Sequence, residues 1–475
     1  MFNNNYMKYI KRNLKENDIS DKAVVRNELE TFLNSPERAM MITGCEYFKG
    51  KQEILNKTRT AIGEGGNVVN VKNLPNSRLI DNQYKKMVKQ KYNYILGNPI
   101  TYDCEDEGLK AELGELFNDE FMKKLKNVAK DALNCGIGWL YMYYNPDGDI
   151  SFKRFAPYEI KPLWKDDEHT ELDGVIRVYS VDAVESKTTK TMIEYYTSNG
   201  IETFEYSSGK LVDAVEGKTS HYVKDDIGYN FTKVPFIPFK YNDDEVPLIN
   251  SVKSLQDGLN KITSNFSDNM LEDMRNTIMV LVNYDGENLG EFRQNLSTYG
   301  AVKVRTEDGA PGDVKTLDVK VDSSNYESII KIFKRAIIEN AMGFDAKSES
   351  LGNAPNQMNI KSMYSDIDLD ANDMINEFKA SLETLVEFYK IHLGIVGKPN
   401  PDCSIKFTFN KNIMLNESEL IANCRNSVGI ISDETIIAKH PFVTDLDEEM
   451  GAIEKAKKDL SDYNDIGGVD DGGKK

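Results

Sequence analysis

The most regular pattern in the chain is a helical spacing of apolar residues in its middle third. From Leu248 to Met274 apolar side chains recur at intervals of three or four residues, without proline. This spacing predicts an amphipathic helix roughly 40 Å long at ~1.5 Å per residue. A second helix is predicted over Ser323–Ala341, with Asp322 or Ser323 as its cap. The β-prone runs TIMVLVNY, AVKVRT and VKTLDVKV lie between the two, so we predict a helical hairpin that carries a small β-insert.

A longer helix is predicted after a polar loop. Residues 344–359 are rich in Ser, Asn and Gly and contain one proline, which indicates an exposed loop. From Ile360 almost to Leu393 apolar residues keep helical spacing without a break. This pattern predicts a helix of roughly 50 Å.

The N-terminal half is predicted to be mixed. Asn76–Leu96 is predicted as a helix capped by Asn76 or Ser77, and its four lysines favour a solvated basic face over a phosphate contact. From Trp139 to Phe239, short β-prone runs separated by turns predict a sheet of meander type. The segment VPFIPFKYNDDEVP, with its three prolines, is interpreted as a connector.

The C-terminal part is predicted to be short and mainly helical. SIKFTFN predicts a strand, and helices are predicted near Glu417–Val428 and Ser432–His440. The stretch from Thr444 to Lys475 is strongly acidic and ends in Gly-Gly-Lys-Lys. We expect a helix there that frays into a disordered tail.

Composition narrows the class of protein. A net charge of −18 disfavours tight nucleic-acid binding, because neutralising phosphates requires a basic face. Five cysteines without a C-x-x-C pair predict reduced thiols, and four scattered histidines offer little for a metal site. MFNNNYMKYIKRNL has no apolar core and Ile278–Val282 is too short to span a bilayer, so we expect a soluble intracellular product.

The strongest metal-like signal is a series of aspartates. Asp366, Asp368 and Asp370, with Glu377 eleven residues after the first, have the spacing of acids in an EF-hand calcium loop. Ala371, however, occupies the position where that loop needs glycine. Helical apolar spacing also runs through the segment, which favours a solvated helix face over a calcium site.

Other motifs give no catalytic site. The glycine-rich residues 63–66 lack the G-K-[ST] ending of a phosphate-binding loop, and residues 135–138 lack the helix that should follow. The acidic residues 243–245 have no partner carboxylates for a two-metal site, and G-x-S-x-G is absent. We therefore predict that the chain is not an enzyme and holds no metal or cofactor.

Three stretches of the chain carry a resemblance to a known family. They are SRLIDNQYKKMVKQKYNYILGNPITYD from Ser77, VPFIPFKYNDDEVPLINSVKSLQDGLNKITSNFSDNMLEDMRNTIMVL from Val234, and LGNAPNQMNIKSMYSDIDLDANDMINEFKASLE from Leu351. Together they resemble the portal family of tailed phages of Gram-positive bacteria, and GIISDETIIAKHPFVTDLDEE, from Gly429, agrees with it more weakly. The stretches follow the family's order and span most of the chain.

The resemblance implies an α+β portal fold. It consists of an α/β wing, a long helical stem hairpin carrying a small β clip, a tunnel loop with a long helix, and a helical crown. The implied regions are the wing (1–245), stem helix (246–276), clip (277–321), stem helix (322–343), tunnel loop (344–359), long tunnel helix and wing return (360–428), and crown with an acidic tail (429–475).

The resemblance also implies a function and partners. Twelve copies would form a ring at a capsid vertex, assembled in the host cytoplasm, that conducts double-stranded DNA in packaging and ejection. The expected partners are weakly bound DNA, the terminase large subunit, a head–tail adaptor, and the major capsid and scaffolding proteins, with no membrane. Two alternatives stay open: another head structural or joining protein, and a metal-dependent phage enzyme.

Three groups of site residues follow from this interpretation. In the tunnel loop, polar neutral side chains are predicted to touch DNA: Ser350, Asn353, Asn356, Gln357 and Asn359. On the stem, cations are predicted to line the channel: Lys331, Lys334 and Arg335. In the clip, charged residues are predicted to dock the motor or adaptor: Asp285, Glu287, Glu291 and Arg293.

Overall fold

The chain is mixed helix and sheet, which confirms the predicted α+β class. The computed structural model describes residues 21–62, 66–72, 74–183, 188–273, 278–282, 313–317, 323–345, 357–398, 401, 403–411, 417–443, 446 and 449–457. These residues belong to two compact units, Met1–Gly343 with Ala371–Asn410, and Phe344–Asp370 with Lys411–Lys475.

The helices vary widely in length. In chain order they are α1 (Asp21–Leu33), α2 (Pro36–Lys49), α3 (Gln83–Leu96), α4 (Glu107–Leu116), α5 (Asp119–Cys135), α6 (Ile249–Asp273), α7 (Ser323–Asn340), α8 (Gln357–Met363), α9 (Ser365–Ile395), α10 (Glu417–Asn426) and α11 (Asp433–Ala438). The two helices of the predicted hairpin, α6 and α7, are confirmed to within one residue at each end. Residues 449–457 are also helical.

The strands are concentrated in the first unit. In chain order they are β1 (Thr60–Ile62), β2 (Val68–Asn70), β3 (Thr101–Asp103), β4 (Ile137–Tyr144), β5 (Ile150–Phe155), β6 (Ile160–Trp164), β7 (Leu172–Ala183), β8 (Thr188–Thr197), β9 (Gly200–Ser207), β10 (Lys210–Asp213), β11 (Tyr222–Lys224), β12 (Ile227–Tyr229), β13 (Phe236–Lys240), β14 (Ile278–Val282), β15 (Asp313–Leu317) and β16 (Lys406–Thr408).

The largest sheet is the predicted meander. Strands β6 to β10 pair antiparallel in chain order, and α1 packs Val25, Leu29 and Phe32 against its buried face. A second sheet has the order β13-β4-β5. The interpretation of Val234–Pro247 as a connector is therefore wrong in its first half. Because β13 lies at the edge of its sheet, Pro238 is tolerated there, while Phe236 and Phe239 are buried.

Helix α3 begins later than predicted. The prediction of a helix from Asn76 is wrong for its first seven residues, which are not helical. Asn82 is the actual cap, and its side chain accepts a hydrogen bond from the backbone N–H of Lys85 at 2.9 Å. The preceding residues are extended because their backbone N–H groups bind side chains of another helix, as described below.

The long predicted helix is interrupted once. α8 starts at Gln357, so the predicted loop 344–359 ends earlier than expected, and α8 is separated from α9 at Tyr364. The Tyr364 N–H still donates to the Ile360 carbonyl oxygen at 3.2 Å. The Ser365 hydroxyl, however, donates to the Ser362 carbonyl oxygen at 2.9 Å, and such side-chain competition for backbone acceptors distorts a helix.

The aspartate series lies within α9. Asp366, Asp368 and Asp370 are all in the first turns of that helix, where an EF-hand would need a loop. Asp368 instead pairs with Lys411 at 2.7 Å. The arrangement agrees with the predicted helical conformation of this segment.

A buried carboxylate predicts a pH dependence of stability. Asp131 of α5 is paired with Arg154 of β5 at 3.0 Å, and burial raises its pKa to about 6. Since an unfolded aspartate titrates near 3.9, its contribution to the free energy of unfolding falls by roughly 3 kcal/mol as pH rises from about 4 to about 6. Urea unfolding at several pH values should show this slope, and Asp131→Asn should flatten it. An unchanged slope in that variant would assign the dependence to another group.

Candidate functional site

Helices α6 and α7 form an antiparallel hairpin. The rings of Phe266 and Tyr326 lie 4.7 Å apart, and the Asn269 amide donates to the Tyr326 hydroxyl at 2.9 Å. Nearer the other end, a Cβ atom on Gly258 would lie 2.6 Å from the Phe333 ring. Glycine at this position therefore lets the two helices approach closely.

A two-stranded ladder continues the hairpin. β14 pairs antiparallel with β15, from Ile278 opposite Leu317 to Val282 opposite Asp313. This pairing confirms two of the three predicted strands of the β-insert. The third, AVKVRT, lies outside the described residues, as do all four residues predicted for docking: Asp285, Glu287, Glu291 and Arg293.

A row of buried polar side chains fastens α6 to the extended segment before α3. Gln256, Asn260, Ser264 and Asp268 occur every four residues along α6 and are fully buried. They accept hydrogen bonds from the backbone N–H groups of Tyr84, Asp81, Leu79 and Ser77, at 3.0, 3.0, 2.9 and 2.6 Å. We call these four pairs the amide ladder.

The amide ladder forms because four residues of α6 and two residues of the extended segment have nearly the same length. Four residues of an α-helix rise about 6.0 Å, and two residues of an extended chain advance about 6.6 Å. Asp268, Ser264 and Asn260 therefore meet every second N–H of the segment, and Gln256 meets the N–H of Tyr84 at the start of α3. A buried N–H without a partner would cost about 1–3 kcal/mol, so the ladder fixes both the conformation and the position of the segment.

A buried ion pair lies at one end of the amide ladder. The Asp268 carboxylate is 2.7 Å from the Lys57 ammonium and 3.6 Å from the Arg59 guanidinium. Burial alone would raise the pKa of Asp268, but hydrogen bonds from Lys57 and Ser77 outweigh it and hold the pKa below its ordinary value. The carboxylate is therefore ionised at neutral pH and binds the segment through charge as well as hydrogen bonds.

Asp81 connects both helices of the hairpin to this segment. Its N–H belongs to the amide ladder, and its carbonyl oxygen accepts from the Gln256 amide of α6 at 2.7 Å. Its carboxylate pairs with Lys334 of α7 at 2.7 Å. One residue thus fixes the position of α6 and α7 relative to α3.

The C-terminal end of α7 is held by a buried lysine. Lys91 of α3, 2% exposed, donates to the Met342 carbonyl oxygen at 3.3 Å. A cation is favourable at a helix C-terminus, where the last carbonyl groups lack partners within the helix. Lys91 therefore does not belong to the solvated basic face predicted for α3, whereas Lys86 and Lys89 are exposed.

The three predicted stem cations occupy two different environments. Lys331 and Arg335 are exposed, one helical turn apart, and pair with Glu327 and Glu339 of their own helix at 2.8 and 2.7 Å. Lys334 is half-buried and pairs with Asp81. The structure thus brings Lys331 and Arg335 onto one exposed face and assigns Lys334 to the attachment of the hairpin.

The predicted loop residues are only partly described. Ser350, Asn353 and Asn356 lie outside the described residues. Gln357 and Asn359 lie in α8 and are therefore helical, which corrects their assignment to a loop. Their predicted contact with DNA stays a prediction.

The hairpin also exposes apolar surface. Ile329 and Ile332 of α7 are 40% and 64% exposed, and Met270 and Leu271 of α6 are 43% and 48% exposed. Exposed large aliphatic side chains on a helix are candidates for an interaction surface.

The described part of the chain offers no cluster for metal chemistry. No group of three or more His, Cys, Asp or Glu side chains there is placed to hold a metal ion. No described helix combines the length and the apolar character needed to cross a membrane.

The amide ladder was not predicted from sequence. Its signal is a repeat of short hydrogen-bonding side chains at every fourth position of α6, which a single sequence does not distinguish from a solvated face. The distinction depends on a segment 172 to 191 residues away in the chain.

Comparison with known proteins gives a match over most of the chain. The family model described as "Phage portal protein, SPP1 Gp6-like" matches residues 36–463. The portal protein of Bacillus phage SPP1 is 28% identical over 448 residues, which cover 91% of this chain and 87% of that protein. The portal protein of Clostridium phage phiCD119 is 26% identical over 452 residues, which cover 91% and 97%.

A solved structure is similar at a lower level. It is described as "Neck of native GTA particle computed with C12 symmetry", and the similarity covers 76% of this chain and 90% of the other. The TM-score is 0.40 and the sequence identity 12%.

Proposed function

Because the chain belongs to the SPP1 Gp6-like phage portal protein family, we propose that twelve copies form a ring at one vertex of a phage head and conduct double-stranded DNA. The observation that carries this proposal is the family match over residues 36–463. The antiparallel hairpin with a β-ladder beyond it supports the proposal, since it provides an elongated element suited to line a passage.

The regions implied by the sequence form part of this proposal. Residues 246–276 and 322–343 form the stem, 277–321 the clip, and 344–359 the tunnel region. Residues 1–245 and 360–428 form the wing and the long helix, and 429–475 form the crown. In this assignment the amide ladder joins stem to wing.

Such a ring must surround a DNA duplex without binding it tightly. A ring of twelve chains, each with a net charge of −18, has a formal charge of −216, which repels phosphate. Lys331 and Arg335 already have acidic partners in their own helix. A passing phosphate must compete with those partners, so each contact is weak and readily exchanged.

The ring itself performs no catalysis in this proposal. The terminase large subunit, docked at the clip, moves the DNA, and a head–tail adaptor takes its place after packaging. Capsid and scaffolding proteins surround the ring, which becomes part of the virion. The amide ladder keeps the stem fixed on the wing, so the motor acts on a rigid passage.

Electron microscopy tests the proposal directly. Purified protein under assembly conditions should form rings with a central hole, and class averages should give twelve subunits. A uniformly monomeric sample would overturn the ring, and a closed shell would favour the alternative of another head protein.

A substitution of Ile332 tests, in the same assay, whether α7 contributes to the interface between neighbouring copies. If the exposed apolar surface of α7 is buried between neighbouring copies, Ile332→Asp should cost about 2 kcal/mol or more per contact and shift the sample toward free subunits. Ile332→Leu keeps the apolar surface and should still form rings. Circular dichroism should show both variants folded, and rings of equal yield would place Ile332 outside the interface.

The tunnel loop should matter for DNA and not for assembly. Shortening Ser350–Asn356 should leave ring formation intact and strongly lower the amount of DNA packaged in a terminase-dependent assay. A control that replaces the same seven residues with a Gly-Ser repeat keeps the loop length. It therefore separates the effect of loop length from the effect of the loop side chains. Unchanged packaging after shortening would show that the loop does not contact DNA.

A further inference from the structure

Two cysteines far apart in sequence lie side by side in the first unit. The Sγ atoms of Cys104 and Cys403 are 2.8 Å apart, although 299 residues separate them in the chain. Cys104 directly follows β3, and Cys403 lies three residues before β16, the strand that pairs with β3. Both are free thiols, and a disulfide would need a shortening of less than 1 Å to its bond length of about 2.05 Å.

Contacts on both sides hold the two cysteines in this position. The Lys390 ammonium donates to the Cys403 carbonyl oxygen at 3.0 Å. Lys398 pairs with Glu112 at 2.7 Å. The Asn410 amide donates to the Pro99 carbonyl oxygen at 2.9 Å, beyond the other end of the β3–β16 ladder. The thiols therefore meet through a strand pairing that is already formed.

The two thiols differ in access to solvent. Cys104 is 5% exposed, whereas Cys403 is half-buried. A small oxidant therefore reaches Cys403 first, and Cys104 is placed to attack the resulting adduct. The hydrogen bond with Cys104 raises the pKa of Cys403, and burial adds to this effect, so the reaction is faster at mildly alkaline pH, where more thiolate is present.

We propose that Cys104 and Cys403 form a redox latch: a dithiol during assembly that becomes a disulfide and ties the strand β16 to β3 covalently. The Cys403 thiolate attacks a low-molecular-weight disulfide, forms a mixed disulfide and releases one small thiol. The Cys104 thiolate then attacks Cys403 Sγ and releases the second small thiol. One S–S bond forms, the two cysteines lose two protons and two electrons, and the small disulfide takes up the electrons.

The role of the latch rests on the proposed function. A ring assembled inside a cell meets reducing conditions, and a released particle meets oxidising ones. The latch would therefore close when the particle leaves the host. It would then hold the segment after α9 on the wing while the vertex retains packaged DNA.

The chain contains a natural contrast to this pair. Cys45 of α2 and Cys135 of α5 are 3.4 Å apart, and Cys135 is completely buried. Cys45, like Cys403, is half-buried. Because its sulfur atoms lie farther apart, we expect the Cys45–Cys135 pair to form a disulfide less readily than Cys104 and Cys403.

Oxidised glutathione at pH 8.5, applied to the full-length protein, tests the latch. Mass spectrometry of unreduced peptides should give a Cys104–Cys403 link in most chains, reversed by a reductant, together with a rise in melting temperature of roughly 5 °C. Cys403→Ser should lose both the link and the rise, and Cys45→Ser should keep both. Free Cys104 and Cys403 thiols after treatment, or a rise that persists in Cys403→Ser, would overturn the proposal.

A second measurement tests the timing. Particles purified without reductant should contain the linked peptide, and heads alkylated inside the host before lysis should contain the free thiols. Free thiols in purified particles would overturn the role given to the latch. Because the link is read by mass spectrometry, failure to form rings would count against the proposed function and not against the latch.

Discussion

Replacing Asn260 with leucine should lower the free energy of unfolding by about 3–5 kcal/mol, because several buried polar groups lose partners at once. The Asn260 side-chain oxygen accepts from the Asp81 N–H at 3.0 Å and from the Gln256 amide at 3.1 Å. Its own amide donates to the Gln52 side chain. Leucine has a similar size but can make none of these bonds.

The matched control is the same change five residues later. Asn265 of α6 is half-buried and outside the amide ladder, so Asn265→Leu should change stability by less than about 1 kcal/mol. Urea unfolding compares the two variants, and hydrogen exchange at Leu79 and Asp81 shows whether the segment is released. Equal effects of the two substitutions would mean that the ladder contributes no more than an ordinary helix surface.

Replacing Gly136 with alanine should cost about 3–5 kcal/mol and impair attachment of the hairpin. Gly136 follows α5 with a φ of 85°, a conformation that L residues rarely adopt. An added Cβ atom would also overlap the Glu245 carbonyl oxygen, on the segment that leads into α6. That segment is held nearby, since the Leu248 N–H donates to the Leu133 carbonyl oxygen at 3.0 Å.

Gly148 serves as a control that separates backbone strain from steric overlap as the cause of this effect. It has a φ of 88°, but an added Cβ atom would meet nothing within 4 Å, so Gly148→Ala should cost only about 1 kcal/mol of backbone strain. Thermal unfolding of both variants, followed by ring yield in microscopy, gives the comparison. A Gly136→Ala variant as stable as Gly148→Ala would show that the segment before α6 moves aside freely.

Elements with a clear apolar repeat were predictable from the sequence. α6 and α7 follow the spacing that begins at Leu248 and at Tyr326, because a repeat near 3.6 residues is itself a property of the helix. The meander was predictable for the same reason, since β-prone runs alternate with turn residues. The order of the elements along the chain is therefore encoded locally.

The errors arise where distant contacts override local preference. Asn76–Asp81 is predicted as the start of α3, yet it is extended because α6 supplies partners to its N–H groups. β13 contains a proline, yet burial of Phe236 and Phe239 at a sheet edge makes it a strand. The candidate site was predictable as a hairpin, but its attachment was not, because Asp81 and Lys334 are 253 residues apart in sequence.

The two spacings of the amide ladder differ slightly, because each step along α6 falls short of two extended residues by roughly 0.6 Å. The extended segment supplies three of the N–H groups, and the fourth, that of Tyr84, belongs to the first turn of α3. Only one alignment satisfies all four. Sliding α6 by one turn would move Asp268 away from Lys57 and leave Ser264 there instead, with a buried charge unpaired. The hairpin therefore has a single axial setting against the segment before α3, and an axial push on α6 is resisted by the whole set of buried hydrogen bonds at once.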